Sequence, residues 1–258
     1  MSRSLPLLVH QTHACEEAQL PRLLAALRRT VLAHNPDAEH HYWSDGDLAA
    51  FFSTTYPHLL AAFRTARVGV QRSDLGRLAV LHHFGGLYID LDVECRRPFD
   101  APLVGADRLT VAPEPQAQVD ALYGAGQVYL CNAVMFAPPG DAVISACLAH
   151  IGNLWHTRGP AMWATSFDLL GGKLLTRMWQ DRPTAVNVLS PTVCYPFNDL
   201  KLRFLPTHAA DVTMARTGTF SEETQAVHWW VHSNFEGRDL INTHVSAWEF
   251  LAALYSLA

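Results

Sequence analysis

Lysine is nearly missing from this chain: of its 19 basic residues only Lys173 and Lys201 are lysines. Against 24 acidic residues the formal net charge is −5, so the basic footprint of a nucleic-acid binder is lacking and no nucleic-acid partner is expected. Cysteine is sparse and odd in number, with Cys15, Cys95, Cys131, Cys147 and Cys194 far apart and no CxxC or Cys/His zinc spacing. That argues against a disulfide framework and fits a reducing, cytosolic-type compartment. No apolar run approaches the ~20 residues of a membrane helix. Met1–His10 holds too short an apolar stretch for a signal peptide. The expected setting is therefore cytoplasmic, with any membrane contact peripheral. Repeats, low-complexity tracts and long linkers are also missing.

What is present is a core. The 258 residues are 49% hydrophobic and 17% charged, a globular profile. A chain of this size buries roughly 70–75% of its unfolded surface and needs no staple. Leu5–Val9 reads as a buried first strand. Leu20, Leu23, Leu24, Leu27 and Val31 follow at helical spacing, stopped by Asn35–Pro36. His40–Trp43 reads as a second strand, and Ser44–Asp45 as the cap of a helix through Phe52. This β-α-β-α order predicts an α/β sheet. Further on, Leu109–Ala112, Val128–Ala137, Ala185–Leu189 and Ala226–Val231 read as strands. Ala142–Ile151, Trp163–Trp179 (loosened at Gly171–Gly172) and the amphipathic tail Ala247–Leu257 read as helices.

The most informative unit is the one between. Val70–Phe84 predicts a helix closed by Gly85–Gly86. Ser73, Asp74 and Arg77 share one of its faces, at i, i+1 and i+4. Leu87–Val93 reads as one strand, with Tyr88, Asp90 and Asp92 on the face opposite Leu87, Ile89, Leu91 and Val93. Two aspartates on one face repel, and their burial costs several kcal/mol without a cation or a proton. Hard oxygen ligands suit Mg²⁺ or Mn²⁺, which commonly bridge a pyrophosphate. The end of a strand is also where α/β sheets place ligands.

The stretch from Val70 to Val93, centred on Gly85-Gly-Leu-Tyr-Ile-Asp-Leu-Asp92, resembles the signature of glycosyltransferase family 32. These are the DXD-motif sugar-binding glycosyltransferases, distantly related to the catalytic domains of the large glucosylating toxins. Other blocks are similar to that family: Leu8-Val-His-Gln-Thr-His13, Tyr42-Trp-Ser-Asp45, Asn132 to Gly140, and Arg158-Gly-Pro160 with Thr165. Val188 to Pro196 and Ala226-Val-His-Trp-Trp-Val-His-Ser-Asn234 complete the set. His13 and Asn234 each stand where the family carries tryptophan.

The resemblance implies a GT-A-type nucleotide-diphospho-sugar transferase fold, a mixed central sheet flanked by helices in one domain over 1–258. Its donor part would span about 1–137 and its acceptor and closing part about 138–258. It implies a retaining hexosyltransferase using Mn²⁺ (or Mg²⁺) and a UDP- or GDP-hexose donor. The acceptor would be a glycan, lipid-linked or other hydroxyl compound, as in polysaccharide biosynthesis, with any membrane contact at the inner surface. Asp90, Asp92 and His228 would face the metal. Asp74 and Arg77 would contact the donor sugar. Gln11, Thr12, Ser73, Tyr88, Asn132 and Ser233 would line the donor site. The exchanges at His13 and Asn234 would alter base stacking and leaving-group contacts.

The residues alone leave alternatives open. Asp74 and Arg77 also read as a helix-surface ion pair worth ~0.2–0.5 kcal/mol. His228 also reads as a hydrogen-bonded core histidine, and Asn132 as a strand-end turn residue. Asp90-Leu-Asp-Val93 fits a phosphatase motif with Asp90 as nucleophile, although no acidic residue follows Gly140-Asp141 within 142–150. The two lost tryptophans fit a non-catalytic nucleotide-sugar binder.

Overall fold

The computed structural model describes residues 6–165, 170–231 and 240–256. Six strands form the main sheet: β1 (Leu8–His13), β2 (Glu39–Ser44), β3 (Gly86–Ile89), β5 (Leu109–Pro113), β6 (Leu130–Ala137) and β7 (Val186–Val188), in the order β2-β1-β3-β6-β5-β7. The pairs β1/β2, β1/β3 and β5/β7 are parallel; β3/β6 and β5/β6 are antiparallel. A second, two-stranded sheet pairs β4 (Val93–Cys95) with β8 (Ala226–His228). Helices cover the main sheet, so the expected mixed α/β architecture is the one observed.

Local chemistry accounts for the leading elements. In α1 (Arg22–His34) the predicted stripe Leu23, Leu24, Leu27 and Val31 is buried. Ser44 caps α2 (Asp45–Thr55) in a reciprocal box, its Oγ accepting from Asp47 N at 3.2 Å while Asp47 Oδ2 accepts from Ser44 N at 3.0 Å. Sequence reading passed over α3 (Pro57–Thr65), yet its signal is present: proline at the first turn and buried Leu59, Ala62 and Phe63 at i, i+3, i+4. It also passed over α5 (Gln116–Tyr123) and α8 (His208–Thr217). Of the expected helix Trp163–Trp179, residues 163–165 are 3₁₀, residues 166–169 lie outside the described residues, and α7 (Gly171–Asp181) begins at Gly171–Gly172. The remaining helices are α4 (Gly69–Phe84), α6 (Ala142–Arg158) and α9 (Ala247–Tyr255).

Two core clusters sandwich the sheet. One joins α1, α9 and the β4–β8 ribbon; the other joins α2, α3, α4, α6 and α7. The turn from α4 into β3 needs glycine. Gly86 has φ +97°, and a Cβ there would lie 2.5 Å from the Leu8 carbonyl oxygen.

The expected strand Leu87–Val93 is not continuous. β3 ends at Ile89, and the last main-sheet bond runs from Asp90 N to Ala133 O at 2.8 Å. Asp90–Val93 then forms a turn, Val93 N donating to Asp90 O at 3.2 Å, and the chain leaves for the second sheet. The two aspartates therefore sit on a corner between sheets, not on one strand face. The apolar alternation that suggested one strand is real, because Leu87, Ile89, Leu91 and Val93 are all buried. The change of pairing partner from β6 to β8 makes the corner. Similarly, the strand expected to reach Val231 stops at His228.

His10, fully buried on β1, ties the sheet to the end of α4. Its Nε2 donates to Gly85 O at 2.9 Å and its Nδ1 accepts from Trp43 Nε1 at 3.3 Å. Burial lowers its pKa to about 4, the Gly85 carbonyl opposing and His41 adding to the shift. The folded state holds it neutral, whereas the unfolded chain takes up the proton below ~6.5. Its contribution is thus complete above that pH and lost as pH falls toward 4, by roughly 3 kcal/mol. Urea titrations from pH 7.5 to 4.5 should show that loss, and His10→Gln should flatten it; an unchanged slope in the variant would contradict this.

Candidate active site

The corner at Asp90–Asp92 opens on a cleft of about 260 Å³ whose lining includes Thr12, Ser73, Arg77, Asp90, Asp92, His228 and Trp230. Three elements supply the chemistry: the end of β1, the face of α4 and the end of β8. The predicted helix face is the one turned to the motif. Arg77, 3% exposed, reaches Asp90 with Nη2–Oδ1 at 3.2 Å and Nη1–Oδ2 at 3.3 Å. It also donates to Asn132 O at 2.6 Å and Ser73 Oγ at 3.0 Å, and its guanidinium lies 4.6 Å from the Tyr88 ring centroid. This is no surface ion pair. The carboxylates around it hold Arg77 charged despite burial, Asp90 most strongly.

The hydroxyls of Thr12, Ser73 and Tyr88 form a triangle with each side 3.0 Å. Tyr88 also donates to Asp90 Oδ1 at 2.8 Å. Burial raises the pKa of Asp90; Arg77 works against it, and Asp92 adds to it. Asp74 lies on the far side of Arg77, Oδ1 to Nη2 at 3.4 Å, and accepts from Asn132 Nδ2 at 2.9 Å. Burial raises its pKa too, against Arg77 and Asn132.

Asp92 is clasped by the chain after β8. Its carbonyl accepts from Trp229 N at 3.0 Å and its Oδ2 from Val231 N at 3.0 Å. Its Oδ1 lies 3.2 Å from His228 Nε2. Burial works against charging His228, but Asp92 and then Asp90 outweigh it, so its pKa rises.

One ligand atom each from Asp90, Asp92 and His228 lies within 4.8 Å of the others. Three carboxylates, Asp74 included, face one guanidinium and one imidazole, leaving negative charge in a confined space. His228 Nδ1 is buried with no partner among the described residues. An oxygen-rich set with one imidazole and surplus negative charge fits Mn²⁺ or Mg²⁺.

The expected residues fall into four groups. Thr12, Ser73, Arg77, Asp90, Asp92 and His228 line the cleft, with Tyr88 directly behind. Asp74 and Asn132 are one layer away, beside Gly171 and linked through Arg77. Gln11 is fully buried against α1, its Oε1 accepting from Arg28 Nη1 at 2.7 Å, and it does not line the cleft. Ser233 and Asn234 lie outside the described residues. Sequence reading missed Asp45 as a cleft residue; Trp229 and Trp230 read there as core with one of them able to line a sugar site, and Trp230 is the one that lines the cleft. For Trp230 the signal was its place two residues after His228.

Residues 21–110 match the family model described as glycosyltransferase sugar-binding region containing DXD motif. The chain is 31% identical over 99 residues to inositol phosphoceramide mannosyltransferase 3 of Schizosaccharomyces pombe, covering 38% of this chain and 27% of that protein. It is 33% identical over 96 residues to mannosyl phosphorylinositol ceramide synthase SUR1 of Saccharomyces cerevisiae, covering 37% and 25%. The matches thus span about a quarter of the length of these relatives. Among solved structures, the PaToxG glycosyltransferase superposes with a TM-score of 0.48 at 14% identity, covering 69% of this chain and 70% of that one. The matched region contains the Arg77–Asp90–Asp92 constellation, so the segment that builds the acidic corner is similar to the DXD-motif sugar-binding region of glycosyltransferases.

Proposed function

We propose that this chain is a retaining hexosyltransferase that takes a hexose from a UDP- or GDP-hexose and passes it to a glycan, lipid-linked or other hydroxyl acceptor. The observation that carries the reading is the meeting of Asp90 and Asp92, beside Arg77 inside the matched DXD region, with His228 brought in from outside it. The relatives' names, which give mannosyl transfer to an inositol phosphoceramide, support a hexose and keep a lipid among the acceptors.

In this reading Asp90, Asp92 and His228 hold Mn²⁺ or Mg²⁺, and the cation, when bound, neutralises the donor diphosphate and stabilises it as it leaves. Arg77 keeps Asp90 ionised and fixed, the preorganisation that lets a site stabilise developing charge without rearranging. Thr12 and Ser73 present hydroxyls to the sugar or ribose, and Tyr88, buried behind them, steadies Asp90. Asp74 and Asn132 brace Arg77 from behind. The acceptor oxygen attacks the anomeric carbon on the face the diphosphate leaves, and a diphosphate oxygen takes its proton. The donor part corresponds to about 1–137 and the acceptor and closing part to about 138–258, the latter closing over the corner with His228. Among the described residues no helix is long and apolar enough to cross a membrane. Five free thiols, four of them buried, support a reducing, cytosolic-type setting.

Incubation with UDP- and GDP-hexoses, Mn²⁺ and an acceptor panel, read by proton NMR of the anomeric signal, tests this. An α-linked product from an α-linked donor is expected. A β-linked product would overturn retention, and no donor consumption across the panel would overturn transfer.

A further inference from the structure

Trp230 stands out on three counts. Its backbone is left-handed, φ +52°, a region disfavoured for a bulky L-residue. It lines the cleft next to Asp92 and His228, its ring centroid 4.2 Å from that of His228. Its indole N–H is buried, in a residue only 7% exposed, and has no acceptor among the described residues.

The first two counts share a cause. The left-handed turn at Trp230 lets the N–H groups on both sides of it, Trp229 and Val231, point back to Asp92. Those two bonds offset the strain and fix the indole beside the acidic corner. A buried N–H without an acceptor is costly, and a donor cannot serve the cation that Asp90, Asp92 and His228 suit. It suits the oxygen of an anion that the cation brings.

We infer that the Trp230 indole N–H donates a hydrogen bond to an anionic oxygen of the ligand held at Asp90, Asp92 and His228. Resting on the reading above, that oxygen belongs to the donor's diphosphate. Trp230 is then a residue of the diphosphate site and discriminates for it through its nitrogen, not through its ring.

Trp230→Phe removes the N–H and keeps an aromatic ring. Calorimetry with Mn²⁺ present should show pyrophosphate, and whichever of UDP and GDP the wild type binds, binding about 10- to 100-fold more weakly to the variant. Affinity for Mn²⁺ alone should stay within about 2-fold, a contrast a merely structural role would not give. Independently of any variant, the Trp230 indole N–H resonance of the wild type should move downfield on adding Mg²⁺ and pyrophosphate. Unchanged anion affinity in the variant, or an indole signal that does not move, overturns the inference. A wild type that binds pyrophosphate but neither nucleotide overturns the donor reading and leaves the indole assignment standing; a wild type that binds none of them overturns both.

Discussion

Asp92→Asn is expected to lower metal-dependent sugar transfer by about 100- to 1000-fold, the range seen when a preorganised charge is removed from a reacting site. The amide matches the carboxylate in size and keeps one oxygen to accept from Val231 N. The clasp around Trp229–Val231 therefore survives, and stability should change by no more than about 1 kcal/mol, the scale of one ordinary hydrogen bond. What goes is the charge that faces His228 Nε2 at 3.2 Å and joins Asp90 in the three-residue cluster. Raising Mn²⁺ should recover part of the rate if the defect is in holding the cation. Full activity in this variant at low Mn²⁺ would remove Asp92 from the site.

Arg77→Leu should have the largest effect on stability. The side chain is 3% exposed and is the shared partner of Asp74, Asp90, Ser73 and the Asn132 carbonyl. Removing one partner of a buried ionic group leaves uncompensated charge and costs about 3–5 kcal/mol. The pH dependence identifies the cause. Burial already raises the pKa of Asp74 and Asp90, and Arg77 opposes that rise. Without it both carboxyls titrate higher still. A raised carboxyl pKa means the folded state binds protons more tightly than the unfolded chain, so the penalty is greatest above the folded pKa and shrinks as pH falls. Urea unfolding at pH 7.5 and pH 5 should show the gap to wild type narrowing on acidification. A gap that stays constant would point to lost packing instead.

The sequence made the helix–turn–acid unit legible because its signals are local. The helix expected over Val70–Phe84, the Gly85–Gly86 stop and the DxD spacing all lie within 25 consecutive positions, and the helix face carrying Ser73 and Arg77 is the one that meets Asp90. Where expectation and structure part, distant contacts decide. The corner at Asp90 exists because β8, more than 130 residues later, takes Val93 as its partner. The left-handed turn at Trp230 exists because Asp92 accepts from both sides of it, and no propensity signals that. Two features were readable and passed over. Pro57 with Leu59, Ala62 and Phe63 spells α3. Gln11 and Thr12, adjacent on β1, must point to opposite faces, so Thr12 reaches the cleft while Gln11 meets Arg28.

The central claim is that the Asp90–Asp92–His228 corner receives a nucleoside diphosphate together with a divalent cation. Calorimetric titration of UDP and GDP into the wild-type protein, with Mn²⁺ and then with a chelator, tests it most directly. Saturable binding of at least one nucleotide that disappears with the chelator is the predicted result. Binding of neither nucleotide under either condition, by a protein shown to be folded, would contradict it.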